Sequence, residues 1–215
     1  MLTDLVGRIG IDPGAGYEAC SAKIRERVGV DSFSQLVGAE MIAREYGYDR
    51  AMLDAYALTS HSRASAATKA GAFEREIVPI AVETPEGSAM HLVDEGIRFD
   101  ATPESIGAVR LLQKGGVISA ANASQICDGA SGVLVVSERA LKEHGLTPPA
   151  RMHNLTVTAG DPVIMLEEPL FATERALARA GMSIDEIDLY EVNEAFAPVP
   201  MAWLRHTKTT QTSPM

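Results

Sequence analysis

Residues 187–204 read "IDLYEVNEAFAPVPMAWL", and their reading decides the fold. Ile187 to Val192 reads as a strand, and Met201 to Leu204 as apolar helix. Asn193 and Glu194 stand between them, where a buried strand gives way to a helix. Open α/β sheets place their sites at the carboxyl ends of such strands. Two readings of Asn193 compete. It can cap the helix, for which Asn is among the best residues, with Glu194 suiting the positive end of the helix dipole. Or its amide can hold a water or a carbonyl oxygen without carrying charge. Local physics alone favours the cap.

Working outward, the last third of the chain alternates. "RMHNLTVTAG" (151–160) predicts a strand, and "PLFATERALARAG" (169–181) a helix closed by Gly181. Ser183 and Glu186 make a capping-box pattern that fits a short turn as well as a longer helix. Upstream, "VISAANASQICDGASGVLVVS" (117–137) predicts a strand, a small-residue loop and a β-branched strand at Val133 to Val136. Ser137 then caps a helix that Gly145 ends. Alternating strands and helices imply parallel pairing in a layered α/β domain.

The first half is richer in helix. Ser34 to Tyr46 is amphipathic, with Leu36, Val37 and Ile42 on one side and Gly47 as its stop. Asp49 caps a long small-residue helix that runs to Gly71. "EIVPIAVE" (76–83) predicts a strand, placed at an edge by Pro79. "TPEGSA" is a turn, and Ser105 to Lys114 predicts a short helix stopped by Gly115 and Gly116. The closing "KTTQTSPM" is polar and patternless, and is expected to be disordered.

Composition narrows the function classes. The 215 residues are 46% hydrophobic and 22% charged, enough to bury a core. A net charge of −10 repels phosphate backbones and argues against nucleic acid as a partner. Lys23, Arg25 and Arg27 form one short basic run, which reads as a solvated helix face. No apolar run is long enough to span a bilayer, and the N-terminus lacks the pattern of a signal peptide. Cys20 and Cys127 are the only cysteines. They make neither a CxxC pair nor a zinc spacing, so no metal and a cytoplasmic, reduced protein are expected.

Several constellations have bland readings. "GAGYEA" (14–19) fits a dinucleotide-loop spacing, but Asp12 and Pro13 precede it instead of a strand, so a glycine-rich turn is the better reading. The five histidines (61, 91, 144, 153, 206) show no paired ligand spacing and read as structural or solvated. Cys127 sits beside Asp128, which would raise its pKa and weaken it as a nucleophile. "SAANAS" (119–124) exposes backbone amides and carbonyls that could lie along an extended amide-bearing ligand, yet loop chemistry alone favours a tight turn.

Taken together, four segments carry a resemblance. "EVNEAFA" (191–197) resembles the Asn-Glu-Ala-Phe motif of the thiolases, enzymes that cleave 3-ketoacyl-CoA or condense acyl-CoAs. "SAANASQICDGASGVLVVSE" (119–138) resembles their "AGNAS…NDGA" segment, and "GDPVIMLEEPLFATERALARAG" (160–181) the stretch that precedes the Asn motif. Residues 38–80 resemble their inserted loop domain. The order is right, and the likeness runs from about Phe33 to Leu204.

The resemblance implies a partial thiolase-like α/β fold, an internal fragment of two similar βαβαβαββ halves. Residues 1–32 would end the first half and 33–125 would form an α-rich loop domain. Residues 126–149 would supply the last strand and helix of that half. Residues 150–206 would begin the second, and 207–215 would be a disordered tail. The implied function is acyl-CoA C-acyltransferase, with a CoA thioester as substrate and no separate cofactor, in a homo-oligomer. Asn193 matches the catalytic residue that holds a water in an oxyanion hole, while Arg98, Ser105, Ala120 and Ser124 match positions that contact CoA. The family's acylated Cys, its Gly-His-Pro His and its second Cys have no counterpart in the chain, so the chain alone is expected to be inactive. The alternative is a non-catalytic remnant that binds acyl-CoA or another subunit. Two departures stand out: Pro200 is expected to kink the helix after Asn193, and Leu166 and Glu168 replace small residues common in relatives.

Overall fold

The computed structural model describes residues 21–209; the Gly14–Ala19 turn, Cys20 and the tail from residue 210 lie outside the described residues. Helix α1 spans Ala22–Val28, α2 Gln35–Tyr46 and α3 Arg50–Lys69. Strands β1 (Ile80–Thr84) and β2 (Gly87–His91) follow, then α4 (Pro103–Gly107), α5 (Glu138–His144), α6 (Glu168–Ala180) and α7 (Pro198–Thr207), with a 3-10 turn at Ile184–Glu186.

The helix ends are where local chemistry places them. The Ser34, Asp49 and Ser137 side chains each accept the amide of the third residue on, satisfying a donor the helix cannot. Gly47, Gly145 and Gly181 close their helices with φ between +61° and +70°, a region a side chain would strain. The basic run of α1 lies on exposed or half-exposed positions.

The core is a helix assembly. Ala39, Ile42 and Ala43 of α2 meet Leu53 of α3, Leu170 of α6 and Val199, Ala202 and Trp203 of α7. Ile118 and Ile164 plug the cluster from connecting segments. Val37, expected on the inner face of α2, is 43% exposed, because small residues one step further on carry the contact. Gly38 is among them: a Cβ there would run into the backbone of Ile164, so α2 packs against that segment through bare backbone. Leu166 packs partly against the core, and Glu168 opens α6 as its first residue. The departures at these two positions are thereby accommodated.

The strands differ from expectation. β1 pairs antiparallel with β2, Ile80 opposite His91 and Thr84 opposite Gly87. This is the only sheet among the described residues. The segments expected as strands at 133–136, 151–160 and 187–192 form no ladder, and the parallel pairing is not seen. A strand exists only through a neighbour that takes its amides and carbonyls, and no described segment pairs its backbone with these in a ladder. Their apolar side chains are correspondingly bare: Val133 is 87% exposed, Val157 88% and Leu189 79%.

Two helix expectations are also corrected. The helix placed at Ser105 to Lys114 begins earlier and ends at Gly107. Thr102 caps it, and the Arg50 guanidinium takes the carbonyls of Ile106 and Val109 at 3.2 and 2.8 Å, stopping it from outside. Pro200 causes no kink. It is the third residue of α7, where an amide would have no intrahelical partner, so its missing N–H costs nothing.

Candidate functional site

The site is built where the loop at 119–124 meets the Asn-Glu-Ala-Phe segment. The loop is a tight turn, as its composition suggests: the Asn122 amide donates to the Ser119 carbonyl at 3.2 Å. The Asn122 side chain, 3% exposed, holds that turn from within. Its Oδ1 accepts the Ser119 amide at 3.0 Å, and its Nδ2 donates to the Val117 carbonyl and to Asp54 Oδ1 at 2.9 Å. Asp54 is paired in turn with Arg50, the residue that stops α4. The Glu40 carboxylate takes the amides of Val117 and Ile118 at 3.0 Å. The loop is therefore fixed to α2 and α3 by charged groups whose bonds are made inside the protein.

Beyond the turn the chain pairs with the second segment. The Ser124 amide donates to Ala195 and the Ala197 amide to Asn122, with Ala123 opposite Phe196. Asn193 is consequently not a helix cap. Helix α7 starts at Pro198 with Ala197 before it, and Asn193 lies in the connecting segment, exposed. Glu194 is tied across the cleft to α3: Tyr56 donates to one carboxylate oxygen and Ser60 to the other, at 2.5 and 2.7 Å.

Between these walls lies an open cleft of about 300 Å³. Asn193, Glu194, Ser124 and Asn122 line one side, and Tyr56, Ser60 and His61 the other. Burial and the Glu194 bond push the Tyr56 hydroxyl far above its ordinary range, so it stays a donor. His61 accepts the Arg98 amide on Nδ1 at 3.3 Å. Burial first, and the Arg98 charge second, hold its pKa below the ordinary histidine value, against the pull of Glu194.

Of the residues matched from sequence, Asn193 and Ser124 share this cleft. Ala120 is exposed and does not line it. Ser105 lies on α4, where its hydroxyl accepts the Thr102 amide and closes a capping box. Arg98 lines a neighbouring cleft of about 330 Å³ with Lys69, Phe99 and three serine or alanine positions of α3. Cys127 is exposed and lines neither. Among the described residues no acidic, His or Cys cluster could hold a metal ion, and no helix is long and apolar enough to cross a membrane.

Sequence reasoning missed Glu194, Tyr56, Ser60 and His61. The one local signal was Tyr56 and Ser60 at i, i+4 on a helix otherwise lined with alanine, which places two hydroxyls on one face.

Replacing Asn122 by Ala is expected to cost about 2–3 kcal/mol. It leaves the buried Ser119 amide and one Asp54 oxygen without partners. A lower urea midpoint with an unchanged slope is the expected observation.

Comparison with known proteins agrees along the chain. Residues 29–139 match the family described as "Thiolase, N-terminal domain", and residues 146–213 match "Thiolase, C-terminal domain". A steroid 3-ketoacyl-CoA thiolase of Mycobacterium tuberculosis is 50% identical over 182 residues, which are 85% of this chain and 44% of that protein. The mitochondrial 3-ketoacyl-CoA thiolase of Mus musculus is 42% identical over 74% of this chain and 41% of its own length. The chain thus spans less than half the length of these two curated relatives. The crystal structure of human mitochondrial 3-ketoacyl-CoA thiolase superposes with a TM-score of 0.80 at 36% identity, covering 93% of this chain and 53% of that one.

Proposed function

The chain belongs to the thiolase family, and from that premise we propose that its cleft receives the thioester end of an acyl-CoA, as part of an acyl-CoA C-acyltransferase. The observation that carries this reading is the placement of Asn193. Its amide stands at the cleft mouth, free of any capping duty, beside a loop whose backbone runs along the wall. A neutral amide there can orient a water or donate to a thioester oxygen as it gains negative charge. Ser124 and its loop would follow the pantetheine arm, and Arg98, one cleft away, the phosphate end. Ala120 would border the arm from outside the cleft, and Ser105 would act through its cap on α4.

The proposed organisation is a loop domain over residues 33–125, flanked by parts of two thiolase halves. We place the protein in the cytoplasm on its cysteine usage, as part of a homo-oligomer. One observation favours a binding role over catalysis for the chain by itself: no described thiol reaches the cleft, and acyl transfer in this family's manner needs a thiolate nucleophile.

Calorimetric titration with acetyl-CoA, run beside CoA-dependent cleavage of acetoacetyl-CoA, tests both statements. Saturable binding without turnover is expected. Absence of saturable binding would overturn the reading of the cleft, and turnover abolished by Cys127→Ala or Cys20→Ala would overturn the reading of the chain as non-catalytic by itself.

A further inference from the structure

The thioester reading gives Glu194 no task, although its carboxylate is bonded at both oxygens. Its neighbour Asn193 has no such hold: among the described residues no hydrogen bond reaches the Asn193 side chain. Residues 188–194 likewise make no backbone hydrogen bond among the described residues. Val192 packs partly against the core, and the Ala195 carbonyl accepts the Ser124 amide at 3.0 Å. The direct tie to the facing wall is Glu194, which takes the Tyr56 hydroxyl on one oxygen and the Ser60 hydroxyl on the other. Tyr56 and Ser60 stand one helical turn apart on α3, a spacing that suits the two oxygens of a single carboxylate.

We propose that Glu194 is a positioning residue: clamped by Tyr56 and Ser60, it sets where the Asn193 amide stands against the thioester of a bound acyl-CoA. The inference rests on the acyl-CoA reading of the cleft. One peptide step, about 3.8 Å between Cα atoms, separates the two residues, so fixing the first limits the reach of the second. The clamp also answers an electrostatic difficulty. A loose carboxylate beside Asn193 would repel negative charge gathering on the thioester oxygen. Held by two hydroxyl protons, it is drawn to α3 instead. Burial first, and the carboxylate second, keep the Tyr56 hydroxyl protonated, so that half of the clamp persists in ordinary buffers.

The test uses the whole chain labelled with nitrogen-15, and two probes that differ only in the thioester: acetyl-CoA and CoA. The unaltered chain should prefer acetyl-CoA about threefold to tenfold, the equivalent of one hydrogen bond. Glu194→Ala should abolish that preference and lower the heteronuclear NOE of the Asn193 backbone amide, leaving that of Ser124 and the urea midpoint in place. Glu194→Gln should keep both properties, because its carbonyl still accepts from Tyr56 and its amide donates to the Ser60 oxygen. Tyr56→Phe, which opens half of the clamp, should fall between them. An unmoved preference or an unmoved NOE in Glu194→Ala would overturn the proposal, as would a Glu194→Gln chain that behaves like Glu194→Ala. If neither probe binds the unaltered chain, the acyl-CoA reading fails and this inference falls with it. A thioester preference indifferent to Glu194 defeats this inference alone.

Discussion

Replacing Trp203 with Ala is expected to destabilise the chain by about 3–5 kcal/mol, the range for removing a large buried aromatic. Trp203 is 4% exposed, on the face of α7 that closes the helix assembly. Its ring lies 5.2 Å from that of Tyr190, and its indole N–H donates to Thr173 of α6 at 2.8 Å. Truncation would remove one of the contacts between α6 and α7 and leave the Thr173 hydroxyl with only its own bond to the Pro169 carbonyl. Two further variants divide the effect. Trp203→Phe should keep most of the packing and lose the bond, while Thr173→Val should cost about 1 kcal/mol by removing the indole's acceptor together with the hydroxyl's own bond to the Pro169 carbonyl. Urea unfolding followed by circular dichroism checks all three. A Trp203→Ala chain with an unmoved midpoint would mean that α7 does not bear on the core.

The second expected result concerns Asn193. Asn193→Asp, made at the matching position of a full-length thiolase relative, should lower kcat about a hundredfold, the usual consequence of losing one prepared oxyanion donor. An ionised carboxylate cannot donate, and it repels the charge that develops on the thioester oxygen. The melting temperature should barely move. Asn193 is exposed and caps no helix, so the new charge is neither buried nor placed against backbone amides. Turnover at the unaltered rate would remove Asn193 from the chemistry and leave the cleft as a binding surface.

What could be read from the sequence was whatever a few neighbouring residues decide. Asp49 capping α3, Gly181 closing α6 and the tight turn around Asn122 depend on bonds that span two to five residues. The early stop of α4 was not legible, because the group that ends it, Arg50, lies 56 to 59 residues away. Asn193 misled for a related reason. Its type suits a cap, but Pro198 and Pro200 suit the first turn better and move the helix start downstream. The strand expected at 133–136 has β-branched composition, yet composition does not supply a neighbour to pair with. The motif around Asn193 located the site. Its opposite wall came from α3, whose Tyr56, Ser60 and His61 carry no pattern that points to a partner in the last quarter of the chain.

The bond between Ser60 and Glu194 joins residues 134 apart, and that between Tyr56 and Glu194 joins residues 138 apart. Polypeptides are made from the N-terminus at about 5–20 residues per second, so Glu194 emerges roughly 7 to 27 seconds after Ser60. A helix such as α3 settles within about a microsecond. From the emergence of Ser60 until that of Glu194, then, the nascent chain carries α3 with both hydroxyls turned to water. The carboxylate that takes them arrives only with the segment just before α7, and a chain released before residue 194 would lack it.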